Sequence, residues 1–139
     1  ATRNAARFVG ARNIFDGRIK SIAGGEAVIF NKDLGDVKAQ IQRPGLYAGM
    51  DVSFCIRPEE ILVIRKDRVI ERGALENIIE ADVKAIEAKG TSQALFLRAG
   101  GADALIKAEL PNFVVRKLSL ATGDRIRVSL KKESVWIIP

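Results

Sequence analysis

The sequence contains no histidine and only one cysteine, Cys55, among its 139 residues. A lone cysteine cannot form an internal disulfide, and histidine is the commonest metal ligand and general base in proteins. Zinc sites and histidine-dependent catalytic triads are therefore excluded, and we expect neither catalytic nor metal-binding residues.

The sequence also lacks long apolar runs and phosphate-binding loops. No apolar run reaches the roughly 20 residues of a membrane span, and no secretory signal precedes the folded pattern, so we expect a cytoplasmic protein. No Gly-x-x-x-x-Gly-Lys-Ser/Thr loop is present, so this chain cannot cradle ATP phosphates in that way. Because the chain opens with Ala1 rather than Met, we expect residues 1–10 to lead in from an upstream domain.

The composition is that of an ordinary globular protein, with 47% hydrophobic and 29% charged residues. Lysine and arginine number 23 against 17 acidic residues, a formal net charge of +6 that makes an anion or nucleic acid a candidate partner. The basic residues are scattered, and they are not interleaved with aromatic residues as single-strand binding requires. Nucleic acid is therefore the less favoured partner.

Three pairs of segments repeat along the chain. Residues 13–22 return at 77–86, an offset of 64, and residues 37–41 return at 106–110, an offset of 69. Residues 49–64 return at 123–138, an offset of 74, and both segments carry a glycine, an alternating strand, a basic residue, a glutamate and an apolar strand. We interpret residues 49–64 and 123–138 as one hairpin used twice.

Each repeat unit has the pattern of five short strands. In the first unit Gly17 is interpreted as a break in the first strand, and Gly24-Gly25 and residues 32–35 as turns. In the second unit Gly100-Gly101 is a turn, and residues 111–119 add a helix between the third and fourth strands, with Leu110, Val114 and Leu118 on one stripe.

The sequence therefore predicts an all-β protein of two tandem five-stranded barrels of the oligonucleotide/oligosaccharide-binding (OB) type, the second with a short helix between its third and fourth strands. We place the first barrel at 11–68 and the second at 69–139. The last strands, 61–64 and 135–138, are apolar on both faces. One face packs on the strand's own barrel, so the other must be buried against a second surface. We expect tight pairing of the halves and a homodimer through the barrel surfaces.

Several motifs resemble a known family. Phe8-Val-Gly-Ala-Arg-Asn-Ile-Phe-Asp-Gly17 and Cys55-Ile-Arg-Pro-Glu-Glu-Ile61 resemble the transport-associated barrel domain (TOBE) that follows the nucleotide-binding domain of ABC importer ATPases. The segments at 11–19 and 118–135 are similar to the opening and closing boxes of molybdate-binding Mop domains. The resemblance implies a non-catalytic C-terminal regulatory and dimerisation domain of the ATP-binding subunit of a molybdate, tungstate or sulfate importer.

The resemblance also implies partners and site residues. An upstream ATPase domain would hold the ATP, and permease subunits would bring the complex to the inner face of the cell membrane. Arg12, Asn13, Lys131 and Ser134 match positions that bind the oxyanion. The chain departs from the family pattern at four positions. Gly10 replaces a serine and Glu76 replaces an arginine. Pro111 and Val114 replace residues that have hydroxyl groups. A charge on Glu76 would repel an anion.

Two other functions compete with this interpretation. One is a free-standing OB barrel that binds nucleic acid, which the charge of +6 motivates. The other is a free oxyanion-storage protein built from two Mop-like copies.

Overall fold

A computed structural model describes residues 13–64, 76–99 and 104–139. Arg12, the lead-in at 1–10 and the predicted turn at Gly100-Gly101 lie outside the described residues, so those predictions stay open, as do the domain limits 11–68 and 69–139. The strands are β1 (Ile14–Ala23), β2 (Glu26–Asn31), β3 (Gly35–Gln40), β4 (Asp51–Cys55), β5 (Ile61–Ile64), β6 (Ile78–Lys89), β7 (Ser92–Ala99), β8 (Leu105–Pro111), β9 (Arg125–Leu130) and β10 (Trp136–Ile138).

The strands form two five-stranded antiparallel sheets that exchange their last strands. The first sheet has the order β10-β4-β1-β2-β3, and the second has the order β5-β9-β6-β7-β8. Strand β5 belongs to the first half of the chain but pairs with β9, where Ile61 lies opposite Leu130. Strand β10 belongs to the second half but pairs with β4, where Trp136 lies opposite Cys55. Each half therefore completes the sheet of the other.

This exchange corrects the predicted hairpins at 49–64 and 123–138. In both segments the two strands lie in different sheets, separated by a short 3-10 turn, Pro58–Glu60 in the first and Lys132–Ser134 in the second. The strand pattern was predicted correctly, but a strand that is apolar on both faces can complete its own sheet or that of a neighbour equally well. The expectation of tight pairing between the halves is confirmed, because the pairing is a shared hydrogen-bond ladder.

The all-β class, the five strands in each sheet and the extra helix are confirmed. Helix α1 (Asn112–Lys117) lies between β8 and β9, with Arg116 and Lys117 in its last turn, where the helix dipole favours cations. Its buried residue is Val115, whereas the predicted stripe was centred on Val114. A helix of six residues has under two turns, so a stripe at i, i+4, i+8 cannot develop along it.

Gly17 is not a break. It lies within the continuous ten-residue strand β1, and it points towards the barrel interior between Phe15 and Ile19. A Cβ atom at this position would lie 2.5 Å from Ile29 Cγ2 and 2.9 Å from the Phe30 carbonyl oxygen. Glycine is present here because β2 approaches β1 too closely for a side chain.

The buried side chains of both sheets form one connected core. Alternating strand positions supply it, as at Ile19, Ile29 and Phe54 in the first sheet and Val83, Leu97 and Val128 in the second. Because β5 and β10 cross between the sheets, Ile61 and Ile137 belong to that same core. The two barrels therefore share the apolar burial that stabilises them.

Candidate functional site

The two 3-10 turns meet where the exchanged strands cross. The Ser134 hydroxyl donates a hydrogen bond to Glu60 Oε1 at 3.3 Å. These residues are 74 positions apart (134−60), the same offset that relates the two repeated segments at 49–64 and 123–138. Ser134 and Glu60 thus occupy equivalent positions in the two halves, and an approximate two-fold axis passes between them.

Two asparagines join the halves on either side of this axis. Asn13 Nδ2 donates to the Lys107 carbonyl at 2.7 Å, and the Lys107 N–H donates to Asn13 Oδ1 at 2.7 Å. Asn77 makes the same pair of bonds with the backbone of Lys38, both at 2.8 Å. Each carboxamide thus acts as one more peptide group on the edge of the other half's third strand. Asn77 adopts a positive φ of 51°, which asparagine tolerates better than most residues.

The same asparagines define two corners, each built from a strand start and a neighbouring turn. In the first corner the Ile56 N–H donates to the Asn13 carbonyl at 3.1 Å, and Arg57 follows at the turn. In the second corner Asn77 Nδ2 donates to the Leu130 carbonyl at 2.7 Å, and Lys131 follows at the turn. We call these the first corner and the second corner.

The structure divides the predicted oxyanion ligands between the two corners. Asn13 lies in the first corner, 3% exposed, with both ends of its carboxamide bonded to Lys107. Lys131 lies in the second corner, and Ser134, also 3% exposed, lies at the axis between them. Asn13 and Ser134 therefore have structural roles that the sequence patterns did not reveal, and their role in anion binding stays a prediction.

The second corner contains a group of charged residues from distant parts of the chain. Lys132 Nζ lies 3.1 Å from Glu26 Oε2 and 3.7 Å from Glu76 Oε1. The hydrogen bond to Glu26, reinforced by the charge of Glu76, holds the pKa of Lys132 above its ordinary value of 10.5. An open groove of about 330 Å³, lined by Gly24, Gly25, Glu26, Gln40, Ile41 and Lys132, adjoins this group. Glu26 and Lys132 are 106 residues apart, so no local pattern could have paired them.

The ammonium group of Lys107 is less well solvated than that of an ordinary surface lysine. Its pKa lies below 10.5 because of partial burial, and then because Lys89 lies within hydrogen-bonding reach with a like charge. Lys107 Nζ also lies 5.9 Å from the centre of the Phe96 ring. The carboxylates of Glu109 and Glu87 offset part of this effect.

An exposed apolar patch lies on the outer face of the first sheet. Ile14, Cys55 and Trp136 lie side by side on β1, β4 and β10, and Ile138 lies on the next row. Ile14 is 50% exposed, Trp136 49% and Ile138 42%. We call Ile14, Trp136 and Ile138 the apolar patch. Large side chains clustered this way on a protein surface commonly mark an interaction site.

A second open groove, of about 630 Å³, runs beside the apolar patch. It is lined by Arg18 and Lys32 but also by Asp16, Asp33 and Asp51, and Arg18 Nε bonds Asp51 Oδ1 at 2.9 Å. Acidic and basic groups are thus mixed along the groove. A nucleic-acid backbone needs a positively charged track, so this groove does not favour that partner.

Within the described ranges no three histidine, cysteine, aspartate or glutamate side chains group as a metal site would require. No helix in the same part of the chain is long and apolar enough to cross a bilayer.

Residues 74–137 match the family model of the TOBE domain. Among solved structures, the fold is similar to that of ModG, described as a cytoplasmic molybdate-binding protein and crystallised with molybdate bound. The TM-score is 0.78 at 24% sequence identity, and the match covers 93% of this chain and 97% of the ModG chain. A comparison with curated proteins gives no match.

Proposed function

We propose that this chain is a non-catalytic, cytoplasmic module that binds a tetrahedral oxyanion of the molybdate class. The observation that carries the proposal is the correspondence with ModG over nearly the whole of both chains, including both barrels rather than one. The TOBE match at 74–137 supports the same class for the second half.

The corners offer the chemistry that such a ligand needs. Oxyanions are bound by N–H donors, hydroxyl groups and cations, with lysine acting as a point charge. Arg12, Asn13, Lys131 and Ser134 remain our candidate ligands. Because Asn13 and Ser134 already bond to protein atoms, anion binding there would draw on their neighbours' backbone N–H groups and on the cations Arg12 and Lys131.

Two cellular settings suit this module. In the first, it is the C-terminal regulatory and dimerisation domain of an ABC importer ATP-binding subunit, joined to an upstream ATPase domain and to permease subunits at the inner face of the membrane. In the second, it is a free binding or storage protein. The likeness to ModG, described as a cytoplasmic molybdate-binding protein, supports the second setting, and the TOBE match supports the first.

Isothermal titration of the full chain with molybdate, tungstate and sulfate tests the proposal. We expect molybdate and tungstate to bind and Arg12→Ala to weaken binding at least tenfold. Heat signals absent up to millimolar concentrations of all three anions would overturn it.

A gel shift with a single-stranded oligonucleotide tests the nucleic-acid alternative. Binding driven by phosphate contacts weakens steeply as salt is raised. We expect no shift at 50 mM salt, and a shift that disappears by 200 mM would favour the alternative.

A further inference from the structure

The two corners are equivalent in backbone but differ in the charged residues they carry. An offset of 64 relates Glu76 to Arg12, and an offset of 74 relates Lys132 to Pro58. Ile22 and Ile86 are equivalent by the offset of 64, and their partners in the β-ladders are Ala27 and Leu95. Strands β2 and β7 are therefore related by an offset of 68 (95−27), and Glu26 corresponds to Ala94. By these offsets Glu26, Glu76 and Lys132 of the second corner correspond in sequence to Ala94, Arg12 and Pro58, of which Arg12 lies outside the described residues.

The formal charges of these two sets differ in sign. Two glutamates and one lysine give the second-corner set −1, whereas Arg12 gives the corresponding set +1 in the sequence. Arg57 and Lys131, which are equivalent to each other, add one positive charge to each side, so the second corner is neutral and the corresponding residues of the first total +2. The lysine is also engaged, since its Nζ lies within 4 Å of both carboxylates. An oxyanion in the second corner would meet two carboxylates and would have to displace them from Lys132.

We infer that the second corner is filled by its own ion-pair group, so that Lys132 takes the place of a bound ligand and this corner accepts no oxyanion. The inference rests on the proposed function, because it assigns the anion of that proposal to the first corner alone, and it therefore removes Lys131, which lies in the second corner, from the candidate ligands. The duplicated fold then carries two dissimilar corners, one that senses the anion and one that is permanently closed.

The ion pairs of Lys132 with Glu26 and Glu76 also connect the two halves of the chain. Glu26 lies on β2 of the first sheet, Glu76 precedes β6 of the second, and Lys132 lies in the turn that leads to the exchanged strand β10. One ammonium group thus joins three separate segments where the halves cross. With side chains about one-third exposed, each pair adds little stability, and its main effect is on charge.

Counting the bound molybdate by isothermal titration tests the inference. The double variant Glu26→Ala/Glu76→Arg removes both carboxylates and makes the second corner strongly positive, and we expect it to bind one more molybdate per chain than the unaltered protein. A matched control, Asp36→Ala/Glu80→Arg, makes the same change of +3 at exposed ion pairs with Lys20 and Arg125. We expect no additional molybdate for the control.

The possible results separate the inference from the proposed function. An unchanged count in a variant whose circular dichroism and melting temperature show it to be folded would overturn the inference alone. An equal gain in the control would overturn it as well. If the unaltered protein binds nothing but the double variant binds one, the closed corner is supported and the first-corner site is wrong. No binding in any of them would overturn both.

Should the double variant fail to fold, Glu26→Gln/Glu76→Gln keeps the shape and removes the two negative charges. We expect it to gain the same site at lower affinity, and no gain in a folded protein would contradict the inference.

Discussion

The side chain of Asn13 pairs with the backbone of Lys107 as if it were a residue of a neighbouring β-strand. One carboxamide group donates to the Lys107 carbonyl and accepts from the Lys107 N–H, both at 2.7 Å, across 94 positions of sequence. The equivalent bonds of Asn77 with Lys38 make the arrangement reciprocal. These bonds fix one half against the other beside the exchanged strands.

Removing this carboxamide should destabilise the whole protein. Asn13→Ala leaves the partly buried backbone N–H and carbonyl of Lys107 on β8 without their partner, and we expect a loss of about 1–3 kcal/mol in the free energy of unfolding. Asn77→Ala should also destabilise the protein, but its bonds to Lys38 are exposed to water, so we expect it to cost less than Asn13→Ala. Urea unfolding followed by fluorescence of Trp136 measures both.

A matched control for these variants is Asn112→Ala, which removes a single exposed hydrogen bond to the Gly90 carbonyl. We expect that change to cost less than Asn13→Ala. Equal costs for Asn13→Ala and Asn112→Ala would show that the carboxamide pairing does not hold the halves together.

Gly17→Ala should destabilise the protein, although alanine in place of glycine stabilises many proteins by restricting the unfolded chain. The new Cβ would lie 2.9 Å from the Phe30 carbonyl, a backbone atom that cannot move without disturbing the ladder between β1 and β2. Overpacking of this kind costs about 1–3 kcal/mol. Thermal unfolding by circular dichroism measures the change.

A double variant tests the cause of that cost. Ile29→Ala removes the Cγ2 atom that would lie 2.5 Å from the new Cβ, so Gly17→Ala/Ile29→Ala should cost less than the sum of the two single changes. A stabilised Gly17→Ala variant would contradict the close approach of β2 to β1.

Self-association is predicted to use the apolar patch. Trp136→Ser should weaken a homodimer by at least about 30-fold in Kd, since a buried interface tryptophan commonly contributes 2 kcal/mol or more. Light scattering after gel filtration at micromolar concentration measures the mass. Phe113→Ser, at a 62% exposed position on α1, is the control and should leave the mass unchanged. A one-chain mass for the unaltered protein would contradict the homodimer.

Local patterns in the sequence were sufficient to predict the strands. Glycine-rich turns such as Gly24-Gly25, the alternation in β4 and the internal repeat each depend on residues close in the chain, and they gave ten strands and a helix in the right places. The exchange of β5 and β10 could not be predicted in this way. An apolar residue such as Ile61 suits a buried position in either sheet, so the sequence does not say which way the chain leaves the turn at Pro58–Glu60.

The candidate site shows the same division. The repeat identified Asn13 and Asn77 as equivalent residues, but their partners, Lys107 and Lys38, are bound through backbone atoms that carry no sequence signal. The departure of Glu76 from the family pattern was visible in the sequence, whereas its proximity to Lys132 depends on the fold. Arg12 lies outside the described residues, so its place at the first corner is still a prediction.

Disulfide trapping tests the strand exchange most directly, because Cys55 is the chain's single cysteine. Cys55 and Trp136 are opposed in the β4–β10 ladder, and opposed residues have Cα atoms about 4.5–5.5 Å apart, within the range a disulfide needs. Leu62 occupies the equivalent position in β5 but lies opposite Ser129 in the second sheet. On oxidation of dilute protein, analysed by intact mass and non-reducing electrophoresis, Trp136→Cys should form an intramolecular disulfide with Cys55 and Leu62→Cys should remain as two thiols. A disulfide in Leu62→Cys and none in Trp136→Cys would show that β4 and β5 form a hairpin and would contradict the exchanged fold.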